Sequence, residues 1–323
     1  MLNMRYCGLD LLRCLAAFGI VGCHLSLPER TEEGRLVTSL CDYNVGLFAA
    51  IAGFLMSGVK GADELLGYAK KRACRLLPSY FAWSVVFLLM TIMFDLLLDG
   101  GQINPRCHTV QFWMSVMFLG GGATHLWFLA CLFYAQVLVA WAFGVFNEPK
   151  HGVLWVLLGA GLVHASVNLG NWYGTYPIRL LAFLVTGHGI GLLIKNRLEV
   201  LRRQLLLLLA AAAAALVLHV ILRDDVPGFY RDWLFVGPVL IAFSALDFKR
   251  ERVTRMVTFL GATSMGVYLV HPLFTRALSV VVAKCMPTPC SALVVLSEWF
   301  LAWLFSLAVA SILLRIPVAR RFV

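Results

Sequence analysis

The stretch that decides the fold is GLDLLRCLAAFGIVGCHLSL, residues 8 to 27, which is long and apolar enough to cross a membrane yet carries Asp10, Arg13 and His24. A charged side chain in hydrocarbon costs at least ~2.5 kcal/mol, so such residues face a bundle interior and mark a functional path. Arg13 and His24 are eleven residues apart, about three helical turns, which predicts that both leave the same face. Asp10 lies one turn before Arg13 and is expected to pair with it. The alternative interpretation places Asp10 and Arg13 at one membrane surface and His24 at the other.

The composition indicates an all-α, polytopic membrane protein. Mean hydropathy is +0.84 and only 14% of the residues are charged, against about 25% in soluble domains. Since no stretch is polar and long enough for a soluble domain, we expect one membrane domain over residues 1–323. The net charge of +10 is explained by cytoplasmic loops rich in Lys and Arg rather than by nucleic acid. The charges inside the first apolar stretch argue against a cleaved signal peptide.

Ten membrane-spanning helices are predicted, with both termini in the cytoplasm. This orientation places 19 of the 27 Lys and Arg residues on the inner side, as the positive-inside rule requires. The apolar segment 109–122 is too short to cross and is expected to be re-entrant or interfacial. The predicted spans are 8–27, 43–59, 76–98, 126–146, 152–169, 177–194, 205–222, 230–247, 257–280 and 291–314.

The cysteines give no metal-binding pattern, so no metal is expected. Cys285 and Cys290 share one short loop that is predicted to lie outside the membrane. A disulfide and a pair of thiols are equally compatible with this spacing.

A basic cluster, KKRACR at residues 70–75, lies at the predicted cytoplasmic mouth of the third span. Arg72 and Arg75 are one turn apart and would project together, which suits bidentate binding of phosphate oxygens. The alternative is an ordinary positive-inside anchor, which is common at this position.

Polar residues also mark two later spans. Ser264, Tyr268 and His271 fall on one helical face before Pro272, and a polar stripe in a spanning helix is seldom filler. His125 opens the fourth span within His-Leu-Trp-Phe-Leu and, taken alone, is more typical of an interfacial histidine.

Four further polar residues carry weaker signals. Glu298 would either orient a histidine or lie at the interface. His164, His188 and His219 are isolated in the sequence and are interpreted as hydrogen-bonded packing residues.

Taken in order, these motifs resemble the membrane acyltransferase-3 family. The matching residues are Gly8-Leu-Asp-Leu-Leu-Arg13 with His24, Gly53-Phe-Leu, Arg72-x-x-Arg75 before Leu-Leu-Pro, His125-Leu-Trp-Phe-Leu, and Gly261-x-x-Ser264 with Tyr268-Leu-Val-His-Pro. The chain departs from the common pattern at Ala52, where many members have Ser, and at Leu314-Arg-Ile-Pro317, where many have Glu-x-Pro.

The resemblance implies an enzyme of a bacterial plasma membrane that acylates hydroxyls of envelope glycans, lipid-linked glycans or other acceptors from cytoplasmic acyl-CoA, acetyl-CoA first among the donors. Arg72 and Arg75 would bind the donor phosphates, and Asp10 would hold Arg13, past which the phosphopantetheine arm would carry the thioester toward His24. His24 would serve as general base or as nucleophile. Substrate-binding roles would fall to Ser264, Tyr268, His271, His125, Trp127 and Glu298.

Residue types alone also permit a proton-linked small-solute transporter or a glycan exporter that uses Asp10, Arg13 and His24 as its path. A non-catalytic partner in an envelope-synthesis complex leaves the buried polar residues unexplained. The paired arginines favour a phosphorylated donor and hence the enzyme. Nothing in the sequence indicates an oligomeric state.

Overall fold

The computed structural model describes residues 6–25, 41, 43–57, 64–98, 125–143, 148–169, 175–222, 225–285 and 292–322. Within these ranges the chain forms helices and no strands. The α-helices of this described part are α1 Cys7–Cys23, α2 Asn44–Met56, α3 Leu65–Leu98, α4 Trp127–Phe143, α5 Gly152–Asn168, α6 Thr175–Ile194, α7 Leu198–Arg203, α8 Leu205–Ile221, α9 Gly228–Ala245, α10 Glu251–Cys285 and α11 Ala292–Arg315. Short 3-10 turns occupy Pro149–His151, Lys195–Arg197 and Ala319–Phe322.

Each predicted span coincides with one α-helix, and α7 is too short to be one. Five stretches are long and apolar enough to cross a membrane by length and composition: Leu66–Met90, Pro149–Asn168, Pro177–Arg203, Glu251–Val282 and Leu293–Arg315. The protein is therefore a multi-pass membrane protein. The segment 109–122 and Cys290 lie outside the described residues, so the choice between a disulfide and free thiols at Cys285 and Cys290 stays open.

Helix α3 begins eleven residues before the predicted start at Leu76. The stretch from Leu65 to Arg75 consists mostly of Lys, Arg, Ala and Leu, which are good helix formers in water, together with Gly67, Tyr68 and Cys74. A membrane-length criterion misses such an extension, because it detects only the apolar part of a helix. Pro78 lies inside this helix rather than at its first turn.

The chain divides into two compact units. The first, called unit 1, comprises Met1–Gly58 and Asn147–Leu314; unit 2 comprises Val59–Phe146 and Arg315–Val323. Each unit is therefore built from two separate stretches of the chain.

Unit 1 contains helices whose backbones touch. A Cβ added to Gly53 of α2 would lie 1.9 Å from the carbonyl oxygen of Leu184 in α6. A Cβ added to Gly187 would lie at the same 1.9 Å from the carbonyl oxygen of Ala50. Small residues at such crossings permit the close backbone approach that stabilises helix pairs in lipid. This matters because burying apolar surface does not by itself drive helices to associate in lipid.

Helix α1 is the other centre of packing in unit 1. It meets α10 at Gly261, where an added Cβ would lie 2.6 Å from Cβ of Asp10. It meets α11 through Trp299, whose indole stacks on Phe18 at 4.5 Å and donates a 2.8 Å hydrogen bond to the Phe18 carbonyl. Most of its length is buried, which explains why a helix with an internal ion pair is stable here.

In unit 2, α3 packs against α4 and against the 3-10 turn Ala319–Phe322. The indole nitrogen of Trp83 donates a 2.9 Å hydrogen bond to the carbonyl of Phe322. The ring of Phe87 meets His125, just before α4, edge to face at 4.8 Å. The Trp83–Phe322 bond joins the two sequence stretches of the unit, and the Phe87–His125 contact lies within the first of them.

The substitution Gly261→Ala should destabilise the protein by about 1–3 kcal/mol, because the new methyl group overlaps Asp10, including its Cα at 2.9 Å. Gly161→Ala is the matched control, since a Cβ at Gly161 meets nothing within 4 Å. The control should be neutral or gain up to ~1 kcal/mol from helix propensity. Unfolding of both variants in detergent measures the difference; equal stabilities would contradict the close packing of α1 on α10.

Candidate active site

The predicted ion pair on α1 is present. Nη1 of Arg13 lies 3.1 Å from Oδ1 of Asp10, one turn apart, and the Asp10 side chain is only 9% exposed. Because Cβ of Asp10 lies against Gly261, α10 covers the carboxylate side of the pair. Ser264 lies one turn further along α10 and donates its hydroxyl to the Gly261 carbonyl at 2.8 Å.

His24 is held at the end of α1. The helix ends at Cys23, so its last carbonyls have no backbone donor within the helix. Nδ1 of His24 lies 2.9 Å from the carbonyl oxygen of Ile20, one of those carbonyls. A carbonyl oxygen only accepts, so Nδ1 carries the hydrogen, and the lone pair of the neutral ring is on Nε2.

The ring of His271 is also held by a backbone carbonyl, which in this case lacks a backbone donor because of a proline. Pro272 has no N–H, and its ring disturbs the hydrogen-bond ladder of α10 around it. The Tyr268 carbonyl accepts from Nδ1 of His271 at 2.7 Å. The helix nevertheless continues through the proline, and Thr275 donates its hydroxyl to the His271 carbonyl at 3.2 Å. The lone pair of His271 is therefore also on Nε2.

The structure brings these two histidines together. The ring centroids of His24 and His271 are 4.8 Å apart with an interplanar angle of 66°. His24 is exposed, whereas His271 and Tyr268 are buried, and the Tyr268 and His271 rings lie 6.0 Å apart. The predicted polar face of α10 is thus buried against α1. The accessible imidazole of His24 lies next to the buried imidazole of His271.

Glu298 does not orient either histidine. Its carboxylate accepts a 2.6 Å hydrogen bond from the Ser279 hydroxyl, and the residue is 2% exposed. The pair joins α11 to α10 in the part of unit 1 that also contains the small apolar cluster of Leu25, Cys41 and Val295.

The remaining predicted site residues belong to unit 2. Arg72 and Arg75 lie on successive turns of α3, and the guanidinium carbon of Arg72 lies 4.9 Å from the centre of the Tyr68 ring. His125 is buried against Phe87, and Trp127 is the first residue of α4.

This order of motifs along the chain matches a known family. The family model described as an acyltransferase domain, of the acyltransferase-3 type, covers residues 7–316. The chain belongs to the acyltransferase-3 family. It is an acyltransferase, and its apolar helices make it a membrane enzyme. Searches of curated proteins and of solved structures found no match.

One buried polar group of this acyltransferase was missed in the sequence. This group is Asp232, whose Oδ1 lies 3.8 Å from Nδ1 of the buried His219, with the rings of Tyr43 and Phe235 against the imidazole. Asp232 is a carboxylate inside the predicted span 230–247, and the reasoning applied to Asp10 would have identified it. His164, by contrast, is hydrogen-bonded as predicted, to the Tyr230 hydroxyl and, at 3.0 Å, to Asn168.

A metal centre is not formed within the described ranges, where no group of three or more His, Cys, Asp or Glu side chains is arranged to hold an ion. The imidazoles of His24 and His271 can transfer a proton or attack a carbonyl carbon as nucleophiles, and the arginine side chains can hold anions.

A double-mutant cycle of Asp10→Asn and Arg13→Gln should give a coupling energy of about 1–3 kcal/mol, because the pair is mostly buried and its attraction is little screened by solvent. Glu199→Gln with Arg202→Gln is the matched cycle, as this pair has the same spacing at 2.8 Å but is exposed. We expect it to give less than ~0.5 kcal/mol. Unfolding in detergent measures both cycles, and equal coupling energies would contradict the burial of the α1 pair.

Proposed function

We propose that this enzyme is an integral membrane O-acyltransferase that moves an acyl group, acetyl in the first instance, from cytoplasmic acyl-CoA to a hydroxyl of an extracytoplasmic or lipid-linked glycan. The observation that carries the proposal is the approach of His24 to His271, at 4.8 Å, on the two helices that also enclose the Asp10–Arg13 pair. An imidazole titrates near working pH and is the side chain most often used to move a proton in acyl transfer.

In the proposed reaction, Nε2 of His24 accepts the proton of the acceptor hydroxyl while its oxygen attacks the thioester carbonyl. The new C–O bond forms, the C–S bond breaks, and the departing CoA thiolate takes the proton back from the imidazolium. The products are the acylated acceptor and CoA thiol, with no further reactant. A transient acyl-imidazole would use the same nitrogen, so both routes require the orientation imposed by the Ile20 carbonyl.

His271 is proposed to lie behind the reacting ring and to help bind the acceptor, together with Tyr268. Its own Nδ1 hydrogen bond fixes the ring so that Nε2 is the basic edge. We assign acceptor-binding roles to Ser264, His125, Trp127 and Glu298 as the resemblance implies. The lipid bilayer is the other partner, and nucleic acid is not one.

The donor would be held by Arg72 and Arg75. Nε of Arg72 is buried and has no hydrogen-bond partner among the described residues, although the guanidinium is positioned over Tyr68. A guanidinium whose Nε–H is without a partner among the described residues, next to a second guanidinium, suits the phosphates of acyl-CoA. Arg13 is proposed to act further along the path, beside the phosphopantetheine arm.

Ten crossings with both termini in the cytoplasm are part of the proposal, and the directions of the helices in unit 1 agree with the proposed number of crossings between them. Asp10 meets Gly261 and His24 meets His271, so α1 and α10 run in the same direction. Seven predicted crossings separate them, and an odd number between two spans makes them parallel.

Helices α2 and α6 give the same result. Gly46 lies against Phe183 and Ser57 lies against Gly191, so these two helices are also parallel. Three predicted crossings separate them. We propose a single domain over 1–323 in a bacterial plasma membrane.

The first test is CoA-thiol release by purified protein in lipid nanodiscs supplied with acetyl-CoA. His24→Ala should lower the turnover rate at least ~100-fold, the usual effect of losing a general base, while acyl-CoA binding is retained. His164→Ala is the control, because His164 is an exposed histidine bonded to Tyr230 and Asn168. Wild-type turnover by His24→Ala would refute the catalytic assignment, and no thiol release with any acyl-CoA would favour a transporter.

The second test concerns the donor site. Arg72→Ala/Arg75→Ala should weaken acyl-CoA binding by about tenfold or more, since two charge-assisted contacts to phosphate are lost. Lys70→Ala/Lys71→Ala removes the same charge from exposed neighbours and should have a much smaller effect. Binding is measured by titration with a fluorescent CoA analogue. An equal loss in both double variants would reduce the arginine pair to a general positive surface.

A further inference from the structure

The first turn of α9 lies outside the histidine site and contains a second group of buried charges. The helix begins at Gly228 after Pro227, whose carbonyl accepts from the amides of Tyr230 and Arg231. The first amides of any helix have no acceptor within it, and the helix dipole makes this end positive. By itself this turn is an ordinary helix start.

The buried side chain of Arg231 distinguishes this turn from an ordinary helix start. The residue is 6% exposed, and its Nε and Nη1 atoms are buried without a hydrogen-bond partner in the described part of the chain. Nη2 lies 3.6 Å from the position of a Cβ on Gly228, so the guanidinium is folded back toward the start of its own helix. A buried guanidinium without an anion is strongly unfavourable, since its desolvation is not repaid.

A second buried guanidinium lies against the same turn. Arg179 of α6 is 7% exposed, and its guanidinium carbon is 3.3 Å from the centre of the Phe229 ring. The carboxylate next in sequence, Asp232, lies beside His219 on α8, with its Oδ1 at 3.8 Å from Nδ1. Two cations and a positive helix end therefore converge on the first turn of α9.

We propose that Arg231, with Arg179 and the first amides of α9, binds a phosphate group. Guanidinium forks and helix N-termini both present N–H donors to phosphate oxygens, and the bound anion supplies a counter-charge to Arg231 that the described residues do not place on its Nε and Nη1 atoms. The phosphate belongs to a membrane lipid headgroup, to a phosphorylated sugar or to free phosphate. The site is independent of the acyl-transfer proposal, because binding is measured without turnover.

The experiment is thermal unfolding of the purified full chain in detergent at constant ionic strength. The probes are inorganic phosphate, glucose 1-phosphate and dihexanoylphosphatidylglycerol, with chloride as the reference anion. At least one probe should raise the unfolding temperature of the wild type, and the probe that does so at the lowest concentration identifies the source. Arg231→Gln should weaken that probe's apparent affinity by about tenfold or more, whereas Arg252→Gln, at an exposed position, should not.

A second pair of variants decides the question if Arg231→Gln fails to fold. Gly228→Asp brings a carboxylate to Nη2 of Arg231, so it should raise the unfolding temperature without phosphate and abolish the response to the probe. Gly228→Asn has the same size without the charge and should do neither. The proposal is overturned if no probe stabilises the wild type, if Arg231→Gln responds as the wild type does, or if the Asp and Asn variants unfold alike.

Discussion

The missing side chain at Gly261 is the constraint on which the candidate active site depends. Because α10 lies directly against the backbone of α1 at Asp10, the two helices share one seam. The Asp10–Arg13 pair lies toward one end of that seam, and the His24–His271 pair toward the other. A side chain at position 261 would push α1 and α10 apart and would displace both pairs at once. The geometry of the ion pair and the geometry of the imidazoles therefore both depend on this glycine.

The two histidines obtain the same orientation from two different breaks in helical hydrogen bonding. Helix α1 simply ends, which leaves the Ile20 carbonyl for His24, and Pro272 disturbs α10 where His271 bonds the Tyr268 carbonyl. In each case an imidazole takes the place of a missing backbone donor. A break in a membrane helix normally exposes an unsatisfied carbonyl to hydrocarbon, and here it holds a side chain in the orientation that proton transfer needs.

Local contacts were the part of the site that the sequence predicted well. The Asp10–Arg13 pair and the shared face of Ser264, Tyr268 and His271 follow from helical spacing, which sequence numbers give directly. The meeting of His24 with His271 joins residues far apart in the chain, and only packing of α1 on α10 reveals it. The His219–Asp232 contact was missed for the same reason. Helix positions were predicted well because each membrane-length helix is a run of apolar residues in the sequence. The early start of α3 was not predicted, because the polar first turns of this helix are not part of such a run.

The hydrogen bond from Trp83 to Phe322 has a consequence for biosynthesis. Unit 2 contains α3 and α4 together with Arg315–Val323, yet the whole second stretch of unit 1 is synthesised between them. Helices α3 and α4 therefore enter the membrane early and wait through most of translation for the segment that completes their unit. Since domains normally fold as they emerge from the ribosome, unit 1 has the opportunity to assemble first, and unit 2 closes after it.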